Sequence, residues 1–180
     1  MDNGIQFLQA AHCRPANRTA IDWIVIHSAE IAQVTGAAAS LMRACAKSER
    51  IASWHFAVDN AEVTQSVRET DIAFHAPGAN AMGIGIELVA SASFTSDDWD
   101  DDYSRSVISR AANLTAALCN RWNIPAAFVD SAGLLAGTRG ITTHAAATDA
   151  WHKSDHTDPG PAFPVQRFLD LVRQYSQPVA

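Results

Sequence analysis

The sequence predicts an α/β fold: a single domain over residues 1–180, with a core from about 20 to 175, built on a central mixed β-sheet flanked by helices. Three observations predict it. Short apolar runs rich in isoleucine and valine, WIVIHS at 23–28 and GIGIELV at 83–89, read as buried strands. They alternate with segments whose apolar residues recur every three or four positions, as in helices that cover a sheet. The chain's 180 residues, 48% of them hydrophobic, supply one sizeable core but not two ordinary domains, and no repeat, linker or low-complexity segment divides them.

Taken in order, DWIVIHS at 22–28 is a strand that ends on His27, and EIAQVTG begins a loop over 29–36. AAASLMRACAKSER at 37–50 is rich in helix formers. In SWHFAVDNAEVTQSV at 53–67, Trp54, Phe56 and Val58 alternate with His55 and Ala57 before an Asp59-Asn60 turn. That pattern predicts a hairpin with one buried face and His55 turned away from it. GIGIELVA at 83–90 is the next strand, and Glu87 lies inside it between Ile86 and Leu88, where an unpaired carboxylate is costly.

The acidic run DDWDDDY at 97–103 reads as a solvated helix start capped by Thr95 or Ser96, its aspartates favoured by the first-turn dipole. It lacks the alternating oxygen ligands, glycine and terminal glutamate of a calcium loop. Val107, Ile108, Ala111, Leu114, Ala117, Leu118 and Trp122 make the apolar stripe of a long helix that ends near Pro125. GITTHAA at 140–146 predicts a short strand running into a loop, and PVQRFLDLVRQY at 164–175 a helix with Pro164 at its first position.

Composition narrows the function. Thirteen basic residues stand against nineteen acidic ones, a net charge of -6, with no Lys/Arg cluster, which argues against nucleic acid as a partner. An anionic substrate would need local positive charge. The opening residues MDNGIQFLQAAHCRPANR lack the basic start and apolar core of a signal peptide, and no run is apolar enough to span a bilayer, so neither export signal nor membrane partner is expected. Cys13, Cys45 and Cys119 are odd in number and without CxxC spacing, which argues against a disulfide framework; Cys45 and Cys119 read as small buried hydrophobes.

Of the seven histidines, five stand near a strand end or in a motif-like loop: His27, His55, His75, His144 and His156. The stretch HKSDHTDPGP at 152–161 adds two aspartates. An open zinc site takes three protein ligands from His, Asp, Glu or Cys, and His27, His144 and the 152–158 loop are the candidates, without an HExxH helix to join them locally. Spacing alone leaves structural or surface histidines as the other reading.

WIVIHS, SWHFAVD, DIAFHAPG, GIGIELV, GITTHAA and SDHTDPGPAFP occur in an order that resembles the zinc-dependent N-acetylmuramoyl-L-alanine amidases, a fold group that includes phage and muropeptide amidases and peptidoglycan recognition proteins. The resemblance covers most of the chain, and its specificity rests on the order and on TDPGP. It implies hydrolysis of the amide between the lactyl group of N-acetylmuramic acid and L-alanine in peptidoglycan. It implies a Zn2+ ion held by His27, His144 and Asp158, the last filling a place where other branches have cysteine. Pro159-Gly160-Pro161 would fix the loop carrying that carboxylate.

Glu87 resembles the general base of the muropeptide branch. His156 stands where many relatives have a lysine, as a donor to the developing oxyanion or an acid for the leaving amine, with a fourth metal ligand as the rival role. Trp54 replaces a tyrosine found in some members and reads as core or substrate wall. His75 and Pro77 resemble a groove-lining loop; His152 and Asp155 are either supports for the ligands or exposed polar groups. Loops 29–36, 76–82 and 126–139 are the expected groove rims.

The implied substrate is peptidoglycan or a muropeptide. The implied setting is a monomeric phage endolysin domain made in a host cytoplasm and released onto the cell wall, with a separate wall-binding module compatible with it. A non-catalytic peptidoglycan-binding protein, a cytosolic recycling amidase and a zinc peptidase or esterase are the rival readings.

Overall fold

Alternation along the strands decides where the core and the site lie in the computed structural model, which describes residues 4–177. Strands β1 (Gln6–Phe7), β2 (Trp23–Ser28), β3 (Phe56–Val58), β4 (Val63–Gln65), β5 (Gly83–Leu88) and β6 (Gly140–Thr143) form one sheet in the order β1-β4-β3-β5-β2-β6. Every neighbouring pair is parallel except the β3–β4 hairpin, so the sheet is mixed as expected. Five helices flank it: α1 (Ala37–Cys45), α2 (Asp102–Trp122), α3 (Ser131–Leu135), α4 (His144–Trp151) and α5 (Val165–Tyr175).

Ile24 and Ile26 of β2, Ile84, Ile86 and Leu88 of β5, and Phe56 and Val58 of β3 pack against α2 and α5, in a core that includes Val107, Ile108, Phe168 and Val172. The intervening residues face the other side. There Trp23 and Val25 pack against Leu134 of α3 and Ala146, Ala147 and Ala150 of α4, while Ala57 packs under α1. One register therefore does two jobs in GIGIEL: the two isoleucines and the leucine build the core, and Gly83, Gly85 and Glu87 are left for the opposite face. The carboxyl ends of β2, β5 and β6 open on one edge, where parallel α/β sheets hold their ligands.

Several expectations are corrected. Strand β3 is buried on both faces, since all three of its residues are buried, while β4 buries only Thr64 fully, and Trp54 lies outside the strand, packed toward α1 rather than with Phe56 and Val58. Helix α1 stops at Cys45 instead of near 50; the Ser48 hydroxyl takes the Arg50 amide at 3.0 Å, and this local turn competes with the helix. The acidic run is not a simple helix start. Thr95 and Asp98 bond reciprocally, a 3-10 turn spans Asp98–Asp100 with Trp99 buried, and α2 begins only at Asp102, where the Asp101 carboxylate caps the Ser104 amide at 2.6 Å.

GITT is the strand, but His144 opens a helix rather than a loop. The Thr143 hydroxyl accepts from the Ala146 amide at 3.2 Å, and the alanines that follow favour the helix. Residues 126–139, expected as a groove rim, instead contain α3 and bond to β6, with the Val129 amide donating to Ile141 O at 2.8 Å.

Candidate metal centre

Three elements deliver three buried side chains to the carboxyl edge of the sheet. His27 is the penultimate residue of β2 and lies opposite Glu87 of β5. His144 is the first residue of α4, directly after β6. Asp158 comes from the loop between α4 and α5, where the Ala145 amide holds its carbonyl at 2.9 Å. Gly160 closes that loop at φ +90 against the backbone of Ala92, a contact where a Cβ would sit 2.0 Å from the carbonyl oxygen, so only glycine fits.

Asp158 lies between the two imidazoles. Its Oδ2 is 3.0 Å from His27 Nδ1 and its Oδ1 is 3.1 Å from His144 Nδ1. One donor atom from each of the three residues lies within 4.8 Å of the others. Two imidazole nitrogens and one carboxylate oxygen, converging and buried, form a donor set suited to zinc with a position left open. The protonation states suit it too. Burial holds the His27 imidazole below its ordinary pKa, against the Asp158 bond, so it stays neutral. Burial alone would raise the Asp158 carboxyl; the bonds from His144 and His27 and their charge outweigh it and leave the group below the usual carboxylate range.

Each of the two imidazoles is held from behind. His27 Nε2 is 3.0 Å from His75 Nδ1. With His27 Nδ1 directed at the metal position, Nε2 carries the proton and donates to His75. The His75 ring rests on Gly85, where a Cβ would come within 2.6 Å of Cγ. Burial, then the neighbouring His27 and His55, push its pKa well below the ordinary value, which keeps Nδ1 an acceptor. His144 Nε2 faces Ser154 Oγ at 3.3 Å, and Ser154 in turn meets Thr148 Oγ1 at 2.6 Å.

His55 is on the site face of the sheet but one layer back, its ring 5.7 Å from that of His75. Its Nδ1 accepts from the Gly85 amide at 3.0 Å, and burial followed by the nearby Arg18 charge pushes its pKa down to about 3. It is a structural support, not a member of the cluster.

Glu87 is 3% exposed and its Oε2 has no hydrogen-bond partner. Burial, followed by the charges of Asp158 and Glu30, raises its pKa well above the ordinary value. The carboxyl that asked for a reason in the sequence thus faces the same cavity as His27, His144 and Asp158, a space of about 420 Å³. Trp54, His75 and Pro77 line that cavity, as does His156. His156 is half exposed, stacks on His144 with centroids 4.5 Å apart, and places Nδ1 3.3 Å from Asp158 Oδ1, outside the cluster of three. His152 and Asp155 are exposed and do not line the cavity; Ser154 between them does.

Sequence reasoning missed Ser154, Thr148 and the rim formed by residues 50–52, and it gave His75 a place on the wall without its bond to His27. A signal for His75 existed: the second glycine of GIGIEL leaves room for a ring.

No curated protein sequence matches the chain. Among solved structures, the Staphylococcus aureus hydrolase AmiA, determined with its ligand, aligns with a TM-score of 0.70 over 96% of this chain and 82% of its own at 16% identity. AmpD, as a selenomethionine derivative, gives 0.63 over 94% and 95% at 21% identity. A mutant endolysin from Bacillus subtilis gives 0.54 over 96% and 97% at 22% identity. At these identities the likeness establishes the shared fold. The family model described as N-acetylmuramoyl-L-alanine amidase matches residues 17–161, a span that contains His27, Glu87, His144 and Asp158, and the chain belongs to the N-acetylmuramoyl-L-alanine amidase family.

Proposed function

We propose that this amidase holds zinc through His27, His144 and Asp158 and cleaves the lactyl–L-alanine amide of peptidoglycan with Glu87 as its proton carrier. The observation that carries the reading is the buried three-residue donor cluster beside a buried carboxyl with an unpartnered oxygen. Zinc bound there supplies a Lewis acid that polarises the scissile carbonyl and acidifies the attacking water.

The protein's own groups do the rest. Glu87 accepts the proton of the attacking water and delivers it to the departing alanine nitrogen; its burial-raised pKa lets it retain the proton between the two events. His156, stacked on His144 at the cavity, donates an N–H to the carbonyl oxygen as negative charge grows there. His75 and Ser154 keep the ligating rings turned toward the metal position. Trp54 and Pro77 supply apolar wall to the bound glycopeptide.

An endolysin setting, with synthesis in a host cytoplasm and action on the wall after release, is part of the reading. Its support is the endolysin among the structural neighbours and an open cavity for polymer; no helix among the described residues is long and apolar enough to cross a membrane.

The test is zinc content together with mass spectrometry of digested peptidoglycan, before and after chelation. About one zinc per chain and a chelator-sensitive new alanine N-terminus are expected. Zinc without cleavage would establish a binding protein instead, and no zinc after reconstitution would remove the ligand triad.

A further inference from the structure

A chain of net charge -6 repels a polyanion as a whole, yet its cations are unevenly placed. Arg105, Arg121, Arg139, Arg167 and Arg173 each face a carboxylate. Arg14, Arg43, Lys47 and Arg68 are exposed, and none of these four faces one among the described residues.

The four are scattered in sequence, and the fold gathers them. Arg43 stands in the last turn of α1, and Lys47 follows four residues later. The segment leading to β2 crosses the end of that helix: the Ala11 amide donates to Cys45 O at 3.2 Å, and His12 Nε2 donates to Ser48 O at 3.0 Å. Two residues on, Arg14 and Ile72 exchange amide-to-carbonyl bonds at 2.9 and 2.8 Å, beside a turn that the Asp71 amide closes on Arg68 O.

The carboxylates of these segments leave the charge standing. Asp71 is buried near Arg18, Glu69 is taken by Arg121 and Trp122, and Glu49 is the exposed acid that remains. The acidic run at 97–102 lies toward the other end of α1, where Gln33 Nε2 donates to Ser104 Oγ at 2.9 Å. A helix C-terminus favours cations and accounts for Arg43 and Lys47, but Arg14 and Arg68 come from segments without a helix end. The face also adjoins the cavity, since the chain after Lys47 runs into residues 50–52 of its rim and Trp54 of its wall packs with Cys45.

We propose that Arg14, Arg43, Lys47 and Arg68 dock a flexible phosphodiester polymer attached to the cell wall, beside the cavity that takes the peptide stem. The wall setting rests on the amidase reading above. Guanidinium forks match phosphate oxygens, and three of the four cations are arginines. Charges drawn from three segments suit a ligand whose own charge repeats, whereas a single anion would meet one or two of them. A flexible chain follows such a face. A nucleic-acid duplex, stiff over about 150 base pairs, would carry its phosphates past the patch and over the acidic remainder of the surface.

Soluble poly(glycerol phosphate), titrated into the zinc-loaded protein at several salt concentrations, tests this. Four contacts should give a slope of log K against log salt of roughly -3, at about 0.7 per phosphate for a single chain. Arg43→Ala/Lys47→Ala and Arg14→Ala/Arg68→Ala should each lower the slope to roughly -1.5 and weaken low-salt binding about 10-fold or more. Both should cleave a soluble muropeptide, which carries no such polymer, at the parental kcat/KM, and both should lose the parent's preference for polymer-bearing walls over stripped ones. No binding by the parent at low salt, or the parental slope in a folded double variant, would overturn the proposal. So would tighter binding to duplex DNA or to anionic vesicles at equal phosphate. If one pair fails to fold, the other pair and the parent's own slope decide. A parent that cleaves no muropeptide removes the amidase reading, while the titration still decides what this face binds.

Discussion

Glu87 is a place where chemistry and stability pull apart. Its pKa in the fold is raised, by burial first, so the folded chain binds this proton more tightly than the unfolded chain does. Below the unfolded glutamate pKa of about 4.3 both states hold the proton and burial carries little penalty. As pH rises through the window between that value and the raised one, the unfolded state sheds its proton first and stability is lost. Glutamine mimics the protonated carboxyl. Zinc-free Glu87→Gln should therefore melt several degrees above the parent at pH 7, on a scale of about 3 °C per kcal/mol, and the gain should vanish near pH 4. Paired melting curves across pH check this; a constant gap would mean that Glu87 is not the titrating group. The same variant should retain zinc yet hydrolyse roughly 100-fold more slowly or worse.

At the level of the elements, β5 links core to site through its alternation. Gly85 leaves room for His75, which in turn holds His27. Gly85→Ala would put a methyl group 2.6 Å from the His75 ring and push it off its seat. The expected result is a folded protein whose zinc affinity, measured by competition with a chromophoric chelator, falls about 10- to 100-fold. An unchanged affinity would show that His27 needs no partner.

The sequence was read well for such elements where burial on one or both faces leaves an apolar run, as in WIVIHS and GIGIEL, and where a long stripe marks α2. It was read poorly where a single polar side chain decides the boundary. The Thr143 cap starts α4, the Ser48 turn ends α1 and the Asp101 cap delays α2, and each competes with a propensity that points elsewhere. Ser154 could not be distinguished from its exposed neighbours, because its role depends on α4 bringing Thr148 and His144 to it.

Across the whole molecule, the candidate ligands unite distant parts of the chain: His27 and Asp158 are 131 residues apart and meet only when the fold is complete. A metal that binds such a site binds the native state and not the unfolded one. With free zinc 100-fold above its Kd, the fold gains about 2.7 kcal/mol, and chelation should lower Tm by roughly 5–10 °C. Calorimetry with and without chelator measures this, and replacing Asp158 with alanine should abolish the difference. Separation of this kind also explains why motif order, rather than local spacing, pointed to His27, His144 and Asp158 as a group in the sequence.

Trp151, at the end of α4, lies so close over Gly78 that a Cβ there would meet its ring at 2.3 Å. Trp23 of β2 touches the same indole, with centroids 5.7 Å apart. The helix that begins with His144 is thus clamped at its other end between the strand that carries His27 and the loop that carries Pro77. Any displacement of that loop therefore bears on a short, stiff lever whose far tip is His144, so the position of this imidazole is set at both ends of its helix.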